Sequence, residues 1–284
     1  MEKIKQSRII SYIIIALAYI LATVVSITIY NKLELDWWLA LLIADVIGTI
    51  IIFIFSLIFK NASVYDPYWS VQPPVILIAF ATTEKMSAYS FLLIIVVSFW
   101  AIRLTLNWAY TFDNLNHQDW RYTMLKEKTK AFYPIINFVG IHLVPTLVVY
   151  GCILPGVYAI RQSYEINLLS VLFLCVSLFA VVLQGTADMQ MHKYRKTRKT
   201  TFIRDGLWKY SRHPNYLGEI LMWWGIALSV FFATSYEWFL LIGAIFNTFL
   251  FLFVSIPMAD KRQSRKNGFD EYKIQTRMLL PIKK

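Results

Sequence analysis

Eight apolar segments constrain the fold of this 284-residue chain more than any other feature. In the hydrocarbon core of a bilayer every backbone polar group needs an internal partner, so segments of about 20 apolar residues form transmembrane helices. The third segment follows two prolines and is shorter than the others, so it is tilted, re-entrant or simply a short helix. The segments cover residues 8–30, 37–59, 71–83, 87–110, 133–160, 167–189, 216–235 and 238–256. We therefore expect an all-α, polytopic membrane bundle of seven or eight transmembrane helices.

The composition agrees with a membrane protein. Hydrophobic residues make up 58% of the chain, whereas soluble domains usually contain about 45–50%. The net charge of +11 is typical of nucleic-acid binding as well, but the bases are concentrated in a few loops, so we expect no nucleic-acid partner. The first apolar segment is too long for a signal-peptide core of about 7–15 residues, so we expect it to be retained as a helix.

Lysine and arginine are distributed asymmetrically between the loops. If all eight segments cross, 24 of the 28 basic residues lie on one side of the membrane and three on the other. Positive charge stays on the cytoplasmic side, so we expect both termini to be cytoplasmic, in the cell (inner) membrane. Without the third crossing, the first basic loops would lie opposite the two large basic clusters. Residues 1–284 are expected to form one integral domain.

A row of polar residues begins at the end of the sixth segment and continues beyond it. Asp188, His192, Arg195 and Lys199 are spaced i, i+4, i+7 and i+11, which places them on one face of a helix. An acid followed by bases suits a ligand with phosphates and a ribose hydroxyl or amide. The alternative is a basic helix end that snorkels and only enforces topology.

The most informative motif is GLWKYSRHPNYLGE, residues 206–219. Pro214 fits the first turn of a helix, where its missing N–H costs nothing, and the free N–H groups there favour anions. The alternative is an ordinary helix start with interfacial aromatic residues. That alternative does not explain the cluster of polar residues within eight positions. The candidate site residues here are Arg212, His213, Asn215, Tyr216 and Glu219.

The tail contributes Asp260, Arg265 and Tyr272 as further candidates. They lie in a basic amphipathic stretch, which is equally typical of a helix on a lipid surface. Metal-binding motifs, a Walker A motif and GxGxxG do not occur in the sequence, so we expect no metal. A cofactor would be held by side chains at helix ends.

The N-terminal half has its own polar residues. Asp45 lies within the second segment, and Tyr65, Asp66 and Tyr68 form part of a turn before the third. Carboxylates near hydrocarbon are functional by default, although Asp66 could instead cap a helix. Arg103 lies close to the cytoplasmic end of its segment, where its side chain can snorkel.

These motifs resemble the steroid 5α-reductase-like membrane family, and more closely its DUF1295 branch. The likeness rests on GLWKYSRHPNYLGE, on ADMQMHKYR before it and on FDEYKIQTRMLLP in the tail; YDPYWS and WAIRL extend it towards the N-terminus. Sterol C14-reductases share the RHPNYLG element. The resemblance implies a multi-span reductase that transfers hydride from NADPH to a carbon–carbon double bond of a lipophilic substrate. Substrate-side helices would lie at about residues 1–130 and the cofactor region at about 184–281.

The resemblance also assigns roles to residues. Asp188 and Arg195 match cofactor-binding positions before the motif, and Asn215 would lie near the nicotinamide amide. Steroid reductases polarise the substrate carbonyl with a Tyr–Glu pair, but Trp100 stands at the expected tyrosine position. We therefore expect Asp66 with Tyr65 or Tyr68, together with Glu219, in the catalytic roles. The full set of expected cofactor residues is Asp188, His192, Arg195, Arg212, His213, Asn215, Tyr216, Asp260, Arg265 and Tyr272.

An S-adenosylmethionine-dependent methyltransferase is the alternative, because isoprenylcysteine and phospholipid methyltransferases carry a related RHP-x-Y element. Their tail usually has Glu-Glu where Asp260 and Lys261 stand here, and Asn215 with the Asp188–Arg195 row favours the reductase. A non-enzymatic scaffold or transporter is a third hypothesis, for which paired inverted repeats are not evident. The expected partners are a lipophilic small molecule and membrane lipids.

Overall fold

The computed structural model describes residues 5–197, 200–234 and 236–283, and helices dominate this part of the chain. We label the α-helices in chain order. They are α1 Arg8–Lys32, α2 Trp37–Phe59, α3 Tyr68–Ala81, α4 Ala88–Thr111, α5 Trp120–Thr129, α6 Tyr133–Ile136, α7 Val144–Gln162, α8 Leu168–Thr197, α9 Pro214–Ala233, α10 Ile242–Leu250, α11 Ile256–Gln263 and α12 Phe269–Gln275. The expected all-α architecture is confirmed.

Two π-helical segments join shorter helices into long ones. Asn137–Leu143 connects α6 to α7, and Phe251–Ser255 connects α10 to α11. Together with the 3-10 segments Lys130–Phe132 and Trp238–Leu241, they form two long helical stretches, Trp120–Gln162 and Trp238–Gln263. π-Segments widen a helix locally and are frequent at functional sites.

Seven helices in the described residues are long and apolar enough to cross a membrane. The expected third span is not among them. It forms α3, a helix of 14 residues that contains Pro73 and Pro74, and at about 1.5 Å per residue it is roughly 21 Å long. The hydrocarbon core is about 30 Å thick, so a crossing at α3 would need tilt or local thinning. Eight crossings with cytoplasmic termini stay a prediction.

Chain packing separates two compact units. The first runs to Val75 and includes Leu104–Tyr150, and the second contains Ile76–Arg103 and the described part of Gly151–Lys284. Several helices contribute to both units. The prediction of one integral domain stays open.

The first unit packs α1 against α2 through a stripe on α1. Ile15, Ala18, Tyr19 and Ala22 are buried and recur at i, i+3, i+4 and i+7, the spacing of one helix face. The Tyr19 hydroxyl donates to the Val64 carbonyl oxygen at 2.6 Å. This bond joins α1 to the turn that precedes α3.

The second unit depends on close approach between α8 and α9. A Cβ on Gly218 would lie 2.4 Å from Gln184 Cγ and 2.8 Å from the Ala180 carbonyl oxygen. One and a half to two turns later, a Cβ on Gly225 would lie 2.2 Å from Ser177 Oγ. Transmembrane helices use small residues in this way, because backbone proximity maximises van der Waals contact.

We expect Gly225→Ala to destabilise the protein by about 1–3 kcal/mol, because the added methyl group overlaps Ser177 and the backbone of α8. The measurement is the thermal unfolding midpoint in mild detergent. Gly140→Ala is the control, since a Cβ there meets its nearest atom at an ordinary 3.8 Å. Equal midpoints for the two variants would contradict the tight packing of α8 on α9.

Candidate functional site

A buried group of charged side chains links α4, α8 and α9. Arg103 Nη1 lies 2.7 Å from Asp188 Oδ2, and Arg103 Nη2 lies 3.7 Å from Glu219 Oε2. The same guanidinium also donates to the Gln184 side-chain oxygen. We call Arg103, Gln184, Asp188 and Glu219 the arginine–carboxylate cluster. It holds two carboxylates and one guanidinium in a part of the chain that lies within spanning helices.

Glu219 has further donors around it. Trp100 Nε1 lies 3.1 and 3.0 Å from its two oxygens, and Trp223 Nε1 donates to Oε1 at 3.0 Å. The two indole rings meet edge to face with centroids 4.9 Å apart. Glu219 is 4% exposed, so its hydrogen bonds are made within the protein. Removing one partner of such a buried group leaves an uncompensated charge.

Helical spacing assembles this cluster. Trp100 and Arg103 are three residues apart on α4, Gln184 and Asp188 are four apart on α8, and Glu219 shares a face with Trp223 on α9. Residues at these spacings are neighbours on a helix surface. Gly218, immediately before Glu219, lets α9 approach Gln184.

A second charged group, the Asp260 cluster, joins the start of α9 to α11. Arg212 Nη2 lies 3.1 Å from Asp260 Oδ2, and His213 Nε2 lies 2.9 Å from Asp260 Oδ1. All three side chains are buried. Their polar atoms therefore hold two segments of the protein together.

The tail is hydrogen-bonded to Arg212, a member of the Asp260 cluster. Arg212 donates its backbone N–H to the Arg277 carbonyl at 2.9 Å and its Nη1 to the Thr276 carbonyl at 2.7 Å. The Tyr272 hydroxyl donates to the Trp208 carbonyl oxygen. Because these bonds use the polar atoms of Arg212 and Tyr272, both residues position the segment that leads into α9.

The first turn of α9 presents polar groups of a different kind. Its N-cap residue His213 makes no side-chain capping bond, and Asn215 Oδ1 is buried without a hydrogen-bond partner among the described residues. The Tyr216 ring stacks on His213 with centroids 5.1 Å apart and an interplanar angle of 4°. A buried amide oxygen without a donor is unusual, and it is suited to accept an N–H from a ligand.

The two arginines that were expected to bind the cofactor are exposed and lie on other parts of the chain. Arg195 is exposed near the end of α8, one turn beyond His192, and Arg265 is exposed between α11 and α12. The face that begins at Asp188 continues as expected along α8, but Lys199 lies outside the described residues. The segment after α8 is fastened to it, because Leu207 N–H donates to Gln190 Oε1 at 2.9 Å.

The candidate acids and tyrosines of the first unit point towards different partners. Asp66 Oδ1 accepts a hydrogen bond from the Tyr122 hydroxyl. The Tyr65 hydroxyl lies 2.8 Å from Thr146 Oγ1, and the Tyr68 ring packs edge to face against Tyr19 at 5.4 Å. The Tyr65 and Tyr68 rings are 5.7 Å apart. The turn therefore brings the three residues together but directs Asp66 and Tyr65 to separate hydrogen bonds.

Asp45 is the other acid in this unit. It is 3% exposed within α2, and neither carboxylate oxygen receives a hydrogen bond of normal geometry from the described residues. The amide group of Gln72 lies close enough to interact with this carboxylate. His142, which is fully buried, lies with its ring 4.8 Å from that of Tyr65. An acid this poorly satisfied inside a spanning helix is a functional candidate.

Sequence reasoning identified Glu219 and Asp188 but not the residue that joins them. Arg103 was expected to snorkel to the interface, whereas its side chain is 13% exposed and binds both acids. The signal was present, because two acids in spanning segments require a compensating cation and Arg103 is the base within such a segment. Trp100 stands where a tyrosine was expected, and its indole N–H reaches Glu219.

The fold and these sites define a polytopic α-helical membrane protein with a C-terminal polar region. The chain belongs to the family described as protein of unknown function (DUF1295), whose model matches residues 52–276. The expected membership is confirmed. The uncharacterized protein C594.04c of Schizosaccharomyces pombe is 26% identical over 197 residues, 58% of this chain and 56% of the relative. The chain thus spans about half the length of that relative. No solved structure matches this chain.

The titration of Asp66 gives a testable consequence. Burial raises the pKa of its carboxyl to about 6, against an opposing effect of the Arg121 cation. The folded protein thus holds this proton more tightly than the unfolded chain does. Protonated Asp66 therefore contributes to the free energy of unfolding. This contribution is fully present below about pH 4, near the pKa of an aspartate in the unfolded chain, and is lost as the pH rises through about 6, its pKa in the folded protein.

We expect Asp66→Asn to remove this part of the fall in unfolding midpoint between pH 4.5 and 7.5. Glu127→Gln, which changes an exposed carboxylate in the same unit, should follow the parent profile. The measurement is thermal unfolding in detergent across that pH series. A parent and Asp66→Asn pair with parallel profiles would show that Asp66 does not titrate in this range.

Proposed function

We propose that this protein is a membrane-embedded reductase that uses NADPH to reduce a carbon–carbon double bond of a lipophilic substrate. The observation that carries the proposal is the first turn of α9. There, among the residues that the structure describes, the buried Asn215 Oδ1 has no donor and the helix N-terminus has no side-chain cap. A helix N-terminus favours phosphate, and an orphaned amide oxygen favours an N–H donor. NADPH carries both groups.

The residues present fit this cofactor with a revised division of roles. Asn215 is suited to accept a hydrogen bond from the carboxamide N–H₂ of the nicotinamide. Arg195 and Arg265 are exposed bases with capacity for phosphate. Arg212, His213 and Asp260 bind one another, and Tyr272 binds the Trp208 carbonyl. We therefore propose that these four residues hold the cofactor region in shape, with Asp188 and Glu219 fixing α8 against α9.

The reaction divides between two groups. Bound NADPH would supply a hydride to one carbon of the double bond, and the other carbon would receive a proton. Asp66 is the proposed proton source, since burial raises the pKa of its carboxyl to about 6. It therefore keeps its proton about two pH units higher than an exposed aspartate. The Tyr122 hydroxyl orients this carboxyl through its hydrogen bond.

Cofactor selectivity follows from the exposed bases. We expect Arg195→Ala or Arg265→Ala to weaken NADPH binding about tenfold or more and NADH binding less, because a charge-assisted bond contributes about 1.5–3 kcal/mol. Equilibrium binding to purified protein is the measurement. Lys193→Ala and Lys266→Ala are neighbouring controls of equal charge change. Parent-like NADPH affinity in both arginine variants would place the 2′-phosphate elsewhere.

The reaction itself is tested with NADPH deuterated at the transferable position. Membranes containing the parent protein should transfer deuterium to a lipid of the host extract, which gains one deuteron and one proton. We expect Asp66→Asn to lower this transfer at least about a hundredfold and to leave NADPH affinity nearly unchanged, with Glu127→Gln as control.

Two results would each contradict a part of the proposal. Transfer of a labelled methyl group from S-adenosylmethionine, without NADPH oxidation, would identify the methyltransferase alternative. Undiminished deuterium transfer by folded Asp66→Asn would remove Asp66 from the reaction and leave the cofactor assignment intact.

A further inference from the structure

An open groove of about 650 Å³ lies between the tail and the segment that precedes α9. Arg204, Lys209 and Lys283 contribute three positive charges to its wall, and no acidic residue is among the described residues that line it. Tyr272 is the one lining residue that the cofactor hypothesis uses. We call this cavity the tail groove.

Arg204 is held in place by aromatic side chains. Its guanidinium lies 4.3 Å from the centroid of the Phe202 ring. That ring packs against Phe269 at 5.4 Å and Tyr272 at 5.1 Å, and all three aromatic residues are buried. A guanidinium supported on an aromatic face loses less freedom when it binds an anion. The groove therefore contains one base that is preorganised on a buried aromatic cluster, and Lys209 Nζ lies 5.7 Å from the centroid of the Tyr210 ring.

The groove wall also contains exposed apolar and aromatic side chains. Ile274 is 70% exposed, Ile282 is 53% exposed and Tyr210 is 40% exposed, and all three line the groove. Met278 and Leu280, between them in the tail, are exposed as well. Exposed apolar side chains beside a basic patch are typical of a surface in contact with anionic lipid.

The position in the chain places the groove at the level of the membrane surface. Tyr210 and Lys209 lie four and five residues before Pro214, where the spanning helix α9 begins. The tail is bound to the same point by the Arg212–Thr276 and Arg212–Arg277 hydrogen bonds. Phosphates of a bilayer lie at this level, just outside the hydrocarbon.

We propose that the tail groove binds the phosphate headgroup of an anionic phospholipid, with Arg204, Lys209 and Lys283 on the phosphate and the apolar residues against the acyl chains. The shared chemistry is a phosphate ester, which a soluble ligand such as NADPH also carries. The apolar wall favours the lipid as its source. This inference does not depend on the reductase proposal.

The test uses delipidated full-length protein in neutral detergent. Phosphatidylglycerol, phosphatidylcholine, NADPH and inorganic phosphate are titrated separately, and binding is followed by thermal stabilisation and by native mass spectrometry. The variant is Arg204→Gln/Lys209→Gln/Lys283→Gln. The control, Lys126→Gln/Lys128→Gln/Lys130→Gln, removes the same charge from exposed positions of the first unit.

We expect phosphatidylglycerol, but not phosphatidylcholine, to stabilise the parent and the control, and the groove variant to bind phosphatidylglycerol at least about tenfold more weakly. Equal lipid affinity in the groove variant and the parent would overturn the proposal. An equal loss in the control would also overturn it, since the effect would then be net charge. A groove variant that loses NADPH or phosphate binding but keeps phosphatidylglycerol would assign the groove to a soluble phosphate ligand.

Discussion

The pairing of Arg103 with Asp188 and Glu219 is the interaction on which the C-terminal architecture depends. A charge inside a membrane protein is stable only with a partner, and here one guanidinium contacts acids on two other spanning helices. The indole N–H groups of Trp100 and Trp223 donate further hydrogen bonds to the Glu219 carboxylate. Loss of Arg103 would leave both acids buried without a cationic partner, which is far costlier than the loss of one contact.

This constraint explains how the start of α9 becomes a site. In the second turn of α9, Gly218 packs against α8 and Glu219 binds Arg103 of α4. Before the helix, Arg212 and His213 hold the chain to Asp260 and the tail. Between these two anchors lies Asn215, whose amide oxygen has no donor within the described part of the chain. A rigid frame around one unsatisfied polar group is the arrangement expected of a preorganised binding site.

The spans could be predicted because their signal is local: about 20 consecutive apolar residues permit little besides a helix. The motif at 206–219 was also recognisable, and Pro214 begins α9 as expected. The internal use of Arg212, His213 and Tyr272 could not be predicted, since their partners Asp260, Thr276 and Trp208 are 47 to 64 residues away. Spacing on one helix shows which side chains share a face, but not which distant helix meets that face. The short α3 likewise depends on how Pro73 and Pro74 are accommodated.

The proposed binding of NADPH at the polar end of α9 has a direct test. The most direct measurement is the unfolding midpoint of the purified protein, and of Asn215→Ala, titrated in parallel with NADPH, NADH and S-adenosylmethionine. A ligand that binds only the folded state adds about 2.7 kcal/mol of stability at a concentration 100 times its Kd. We predict that NADPH raises the unfolding midpoint of the parent protein. Asn215→Ala should need a higher NADPH concentration for the same rise in midpoint. Stabilisation by S-adenosylmethionine alone, or an NADPH response unchanged by Asn215→Ala, would contradict it.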